Sequence, residues 1–243
     1  MALLDSFEKQ GNLLFEYRGQ FPILLFLLVI PFVYSNENML DKDPTLIISY
    51  LISILGFLIR FITIGTTPKG TSGRNTKKQV ADELNYMGMY SMSRHPLYFG
   101  NFLIWIGICL STFSVFFVIT VVLLFWLYYE RIMFAEESFL IKKHGEKYLK
   151  WSNSVPAFVP NIFKYKKTEV SFSIISILRR EYASILSAVL GFIYVEVLVN
   201  YFERNEFFLH PISFKILLIT LLIVLVLRSL KHYTKLLNEH DRS

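Results

Sequence analysis

The sequence predicts an all-α, polytopic membrane protein of about six spans, and three observations predict it. Hydrophobic residues fill 53% of the 243 positions and charged residues only 18%, with 23 phenylalanines, which is the balance of an integral membrane chain. The apolar residues are gathered into runs separated by polar segments. Lysines and arginines, which give a net charge of +6, collect in alternate loops between those runs. That placement speaks for membrane topology and against a nucleic-acid partner.

A bilayer core of about 30 Å needs about 20 apolar helical residues, fewer where flanking groups reach the interface. Six runs meet or approach this requirement: residues 21–34, 45–64, 97–110, 113–129, 183–202 and 212–230. The first is short, with Tyr17, Arg18 and Asn36 placed to anchor it in a slightly thinned bilayer, and it also suits a re-entrant or interfacial helix. The residues before it mix Asp5, Glu8 and Glu16 with Lys9 and Arg18, which no cleavable signal peptide does, so the first run is expected to stay in the mature chain. The third run is short as well. Only "STFS", Ser111 to Ser114, joins it to the fourth, which predicts a helical hairpin. Cys109, the single cysteine, sits inside an apolar run and is expected to pack.

Orientation follows from the loops, because cytoplasmic loops carry the excess of Lys and Arg. Lys69, Arg74, Lys77, Lys78 and Arg94 fall between the second and third runs, and a second basic series from Lys142 to Arg180 falls between the fourth and fifth. Both loops are expected in the cytoplasm, together with both termini. Glu37, Asp41, Asp43, Glu203 and Glu206 mark the opposite side. The expected divisions are 1–66 and 164–243 as flanking transmembrane helices and 67–163 as the part that carries chemistry. A bacterial inner membrane is the expected location.

The candidate site begins at "SRHPLYFGN". Pro96 suits the first position of a helix, making His95 its cap and setting unpaired N–H groups beside Arg94 and His95, where an anion is favoured. Tyr98 adds an aromatic hydroxyl, and Gly100 a place where a flat ring could approach the backbone. The same residues also suit an interfacial helix start, with Arg94 snorkelling and Tyr98 anchoring. The far arm of the hairpin bears on the choice. Glu136 and Glu137 follow the fourth run, and antiparallel arms of similar length bring this helix end beside Arg94 and His95. A site holding both signs suits a ligand with a carboxylate, an ammonium and a further cationic centre, and S-adenosyl-L-methionine is such a ligand.

With "GMYSMSRHPLYFGN", a hairpin, "EESFL" and "HGEKYLKWSNSVPAFVP" in this order, residues 84–160 resemble the membrane-embedded methyltransferases that include isoprenylcysteine carboxyl methyltransferases and phospholipid N-methyltransferases. The resemblance implies that Tyr90, His95, Pro96, Leu97 and Tyr98 line the S-adenosyl-L-methionine pocket, that Leu84 and Asn85 lie on an upstream cofactor-contacting segment, and that Glu136 faces the cofactor with Glu137 beside it. The strand and G-x-G turn of soluble methyltransferases are absent from the sequence. One departure concerns the acceptor. Where isoprenylcysteine enzymes place a substrate-binding arginine, one turn before the glutamate, this chain has Ile132, with Arg131 one residue earlier.

The loop "GTTPKGTSGRNTKKQ", Gly65 to Gln79, combines glycines and hydroxyls with Lys69, Arg74 and Lys77, a composition that cradles phosphate or attracts anionic lipid heads. It resembles the loop of bacterial members of the superfamily proposed to methylate the 1-phosphate of lipid A. The expected acceptor is therefore a phosphate oxygen of a membrane lipid, with phospholipid nitrogen or an isoprenylcysteine carboxylate as alternatives. Should an amine be the acceptor, Glu137 or His95 is the candidate base. A transporter or lipid-binding scaffold is the rival of another class. It calls for polar residues facing one another near the bilayer midplane, where the sequence offers only Arg60 and Glu196, both near enough to a run's end to reach an interface. The histidines are too scattered to predict a metal site.

Overall fold

The computed structural model describes residues 2–20, 23–35, 40–71 and 81–239. They form eight helices: α1 (Ala2–Glu16), α2 (Ile23–Tyr34), α3 (Lys42–Gly65), α4 (Pro96–Leu110), α5 (Val115–His144), α6 (Glu146–Ser152), α7 (Ile174–Arg204) and α8 (Pro211–Tyr233). Among the described residues there is no strand, only an isolated bridge between Gly88 and Lys166. α3, α5, α7 and α8 are long and apolar enough to cross a membrane, and α2 and α4 are shorter apolar helices. The predicted runs thus return as six apolar helices of an integral membrane protein.

Three boundaries differ from the sequence expectation. α1 occupies a stretch too polar to count as a span, and it packs on α5 so closely that a Cβ on Gly11 would lie 2.1 Å from the Arg131 carbonyl oxygen. α5 does not stop near Tyr129 but continues to His144, so Glu136 and Glu137 lie within a helix rather than at its end. α7 begins at Ile174, capped by the Ser173 hydroxyl, and carries Arg179, Arg180 and Glu181, which hydropathy had placed in a loop. In each case the helix outruns the apolar layer because good helix formers need no lipid to stay helical.

Small residues let the helices approach. On α3 and α4, Gly56 faces Gly100 and Ser53 faces Gly107, such that a Cβ on Gly56 would sit 2.6 Å from the Gly100 carbonyl oxygen and one on Gly107 2.1 Å from Ser53 Oγ. Such stripes are how helices associate where lipid is as apolar as any side chain. The hairpin turn places Phe113 at φ 59°, and Ser114 caps α5 by accepting from the Phe117 N–H. Val29 and Val33 of α2, Ile104, Ile108 and Cys109 of α4, Phe117 and Val121 of α5, and Ala188, Val195 and Val199 of α7 form the buried core of this bundle. Cys109 is packed there, as expected.

The strand-like segment after α6 positions the start of α4. The N–H groups of Arg94 and His95 donate to the carbonyls of Pro156 (2.9 Å) and Ala157 (3.1 Å), the Ser93 hydroxyl donates to the Phe158 carbonyl (2.9 Å), and the Asn161 N–H donates to the Met92 carbonyl (2.9 Å). This explains why "SRHP" and "SVPAFVP" occur in one chain: the second segment supplies the acceptors that hold the first.

Candidate active site

Where the start of α4, the last turns of α5, the C-terminal end of α3 and the N-terminal end of α7 converge, they enclose a cavity of about 360 Å³, within the range of small-molecule sites. His95, 7% exposed, stands at its wall with both ring nitrogens engaged: Nε2 lies 3.0 Å from Glu137 Oε1 and Nδ1 3.4 Å from Glu136 Oε2. Burial alone would lower the His95 pKa. The hydrogen bonds and negative charge of Glu136 and Glu137 outweigh it and hold the imidazole above its ordinary value. Three residues on, one helical turn along α4, the Tyr98 hydroxyl donates to Glu136 Oε1 at 2.8 Å, and its ring stacks on His95 with centroids 5.6 Å apart. Arg94 Nε is 3.0 Å from Glu137 Oε1, and its NH1 donates to the Ser152 carbonyl at 2.9 Å. Burial, then the charge of Glu137, pushes the Tyr148 phenol up on the far side of that carboxylate.

A second polar chain crosses the cavity wall. Asn101, one turn beyond Tyr98, donates to the Tyr129 hydroxyl at 3.4 Å and accepts from Arg60 NH1. Arg60 in turn grips Glu181 of α7 with two parallel hydrogen bonds, Nε to Oε2 at 2.7 Å and NH2 to Oε1 at 2.6 Å. Arg18, Thr71, Tyr90, Arg180 and Ser184 complete the polar lining.

Residues 44–147 match the model of the phospholipid methyltransferase family. Over 117 residues the chain is 30% identical to a protein-S-isoprenylcysteine O-methyltransferase of Saccharomyces cerevisiae, a stretch covering 48% of this chain and 49% of that protein. This stretch of the chain is similar to the membrane methyltransferases that both represent. The chain thus spans about half the length of the curated relative it matches. No solved structure matches it.

Within the matched stretch the structure brings together Tyr90, Arg94, His95, Pro96, Leu97, Tyr98 and Glu136 around the cavity, with Glu137 bound to Arg94 and His95 just behind. Others are elsewhere. Gly100 packs against α3, where its Cβ would meet Arg60 Cγ at 2.6 Å, so it serves helix contact and offers no opening to a ring. Leu84 is buried and Asn85 accepts from the Met87 N–H, and neither lines the cavity. The Arg131 guanidinium lies 3.5 Å over the Phe7 ring and pairs with Glu130, which turns it toward α1. Ile132 is fully buried. Lys69 is exposed and outside the lining, while Arg74 and Lys77 lie outside the described residues.

Arg60 corrects the sequence expectation most clearly. It is held at the cavity wall by Glu181 and Asn101, its side chain 11% exposed, because a partly dehydrated cation is stabilised more by a fixed carboxylate than by a stretched path to water. Glu181, Arg180, Arg18 and Tyr129 escaped the sequence reading. The available signal was the unpaired charge of Arg60, which demanded an anion on another helix at the same depth. Glu196, toward the opposite end of α7, accepts from the His210 N–H at 2.7 Å.

Proposed function

We propose that the protein is an S-adenosyl-L-methionine-dependent methyltransferase acting from the cytoplasmic side on a membrane lipid, with a lipid phosphate oxygen as the acceptor. The observation that carries this reading is the meeting of Glu136 and Glu137 on α5 with Arg94, His95 and Tyr98 on α4 at a single cavity. The residues fit the cofactor: Glu136 faces the cavity as a partner for ammonium and sulfonium charge, Arg94 for a carboxylate, and Tyr90 and Tyr98 offer ring faces for the adenine. When bound, S-adenosyl-L-methionine supplies a methyl group that an oxygen lone pair can take, the sulfur keeping the electrons of the broken C–S bond.

The chain's own part is to bind, orient and keep water out. His95, held at both nitrogens, fixes the two carboxylates in place and is spoken for as a base. A phosphate oxygen ionised at neutral pH needs none. The name of the yeast relative favours a prenylcysteine carboxylate instead, yet Ile132 is buried and Arg131 faces α1, so α5 offers no arginine to such a carboxylate.

Membranes incubated with radiolabelled S-adenosyl-L-methionine and extracted into solvent decide the matter. The expected product is a lipid carrying one added methyl on phosphate by mass spectrometry. A methyl on an ethanolamine nitrogen or a prenylcysteine carboxylate would overturn the phosphate assignment, and no transfer to any lipid would overturn the enzyme.

A further inference from the structure

The segment after α6 carries apolar side chains that neither the bundle nor the cavity uses. It lies beyond residues 44–147, the stretch that matches the phospholipid methyltransferase family. Phe158 is buried against Phe99 and Phe102 of α4 and Phe125 and Trp126 of α5, with ring centroids between 5.5 and 6.2 Å apart. Its neighbours are turned the other way: Val159 and Ile162 are exposed, and Phe163 is 93% exposed. A loop surrounded by water gains nothing from such a cluster, and exposed apolar patches mark contact surfaces.

The level of this cluster along α5 identifies what it meets. Toward the cavity, the first charged residue of α5 is Glu130, and Trp126 precedes it by four positions. At about 1.5 Å per residue, Phe158 therefore reaches about 6 Å past Glu130 into the level that α5 spans. Trp126 is itself exposed, at the depth where membrane proteins place tryptophan. The lipid-facing surface of α5 thus runs through Trp126 onto the segment that begins at Phe158.

Non-helical backbone can lie at that depth only where protein satisfies its polar groups. The carbonyls of Pro156, Ala157 and Phe158 accept from Arg94, His95 and Ser93, the Asn161 N–H donates to the Met92 carbonyl, and the Asn161 side chain accepts from the Phe163 N–H. Pro156 and Pro160 bring no N–H to satisfy. Charge follows the same gradient. Residues 147–168 hold five lysines and no aspartate or glutamate, and Lys164, Lys166 and Lys167, all exposed, come directly after Phe163. Lys164 donates to the Ser154 carbonyl, which keeps it beside the apolar cluster.

We propose that residues 155–167 dock on the bilayer as an interfacial loop, with Val159, Ile162 and Phe163 among the acyl chains and Lys164, Lys166 and Lys167 on the head groups of anionic phospholipid. This docking follows from the span of α5, whatever chemistry the cavity performs. Lysine stems lie along apolar surface while their ammonium groups meet phosphate, an arrangement that favours acidic over zwitterionic lipid. The same segment supplies the carbonyls that hold Arg94 and His95, so its contact with lipid fixes the start of α4 relative to the membrane surface.

Fluorescence quenching in nanodiscs tests the contact. The full chain carrying Phe163→Cys, or separately Val159→Cys, is labelled with an environment-sensitive thiol dye, and the fully buried Cys109 stays unlabelled in the folded protein. In equal parts phosphatidylcholine and phosphatidylglycerol, lipid bearing a doxyl group near the top of its acyl chain should quench both labels at least twofold. Aqueous iodide should quench them at least fivefold less than a label at the exposed Glu146. Carried on phosphatidylglycerol, the doxyl group should quench the label at position 163 at least twofold more than on phosphatidylcholine at the same mole fraction. Lys164→Gln, Lys166→Gln and Lys167→Gln together should abolish that difference. Iodide quenching as strong as at Glu146 would return the loop to water, and shielding from both quenchers would mean that protein covers it; either result overturns the lipid contact. Equal quenching by the two doxyl lipids, or a preference that survives the triple substitution, would overturn the choice of anionic lipid.

Discussion

Replacing Glu181 with glutamine keeps the side chain's volume and strips Arg60 of its counter-charge. The Glu181 side chain is 1% exposed and that of Arg60 11%, and both carboxylate oxygens are used, so little water is at hand to take over. Breaking one partner of a buried pair costs about 3–5 kcal/mol. Glutamine still offers one oxygen and Arg60 keeps Asn101, which sets the expectation at the lower end, about 3 kcal/mol. At about 2–4 °C per kcal/mol for a chain of this length, the thermal midpoint should fall by roughly 6–12 °C. Cys109 provides the assay, since it is the single cysteine and is 1% exposed, so a thiol-reactive dye reports unfolding as the core opens. Arg60→Met combined with Glu181→Leu removes both charges and should recover most of the loss. A fall below about 2 °C for Glu181→Gln, or a double variant no more stable than the single, would refute the view that this pair fastens α7 to α3.

Glu136→Ala should weaken S-adenosyl-L-methionine more than tenfold by calorimetry in detergent, since the ligand's cationic groups lose their compensation in a partly dry site. The raised pKa of His95 gives its contact with Glu136 and Glu137 a pH dependence: the stabilisation is whole below about pH 6.5 and fades as pH rises through the higher folded value. The thermal midpoint should fall across that window, and His95→Gln should flatten the slope. In a Cys109→Ser background, cysteines at Lys147 and Lys69 should resist impermeant thiol reagents on intact cells, and cysteines at Asp41 and Arg204 should react. Labelling of position 147 from outside would reverse the topology.

The hairpin was readable because its signals are local: a break of three small hydroxyl residues and one phenylalanine between apolar runs, a proline at a helix start, and two carboxylates that antiparallel arms return to Arg94 and His95. Hydropathy located the lipid layer but not the helices that leave it. The ends of α5 and α7 beyond that layer carry Glu136, Glu137, Arg180 and Glu181, so the cavity is built largely from turns that apolar counting treats as loop. The pairing of Arg60 with Glu181 spans 121 positions, and no periodicity in either segment encodes it. Gly100 misled for a related reason, since an absent side chain looks the same whether a ligand or a neighbouring helix fills the gap.

The glycine and serine seam between α3 and α4 also bears on which wall of the cavity can move. Helices in backbone contact at Gly56, Gly100 and Gly107 cannot part without leaving voids that no side chain refills, and Gly11 locks α1 to α5 in the same manner. α7 is held differently. It meets α4 where Gly191 faces only the flexible end of Ile108, α2 where the Tyr194 hydroxyl donates to the Phe26 carbonyl, and α3 through Tyr50 against Phe192 and, at the cavity, the Arg60–Glu181 grip. At the cavity, then, the α7 wall is closed by a polar grip rather than by a close-packed seam, and a wall that must yield to a ligand yields there at the cost of one ion pair.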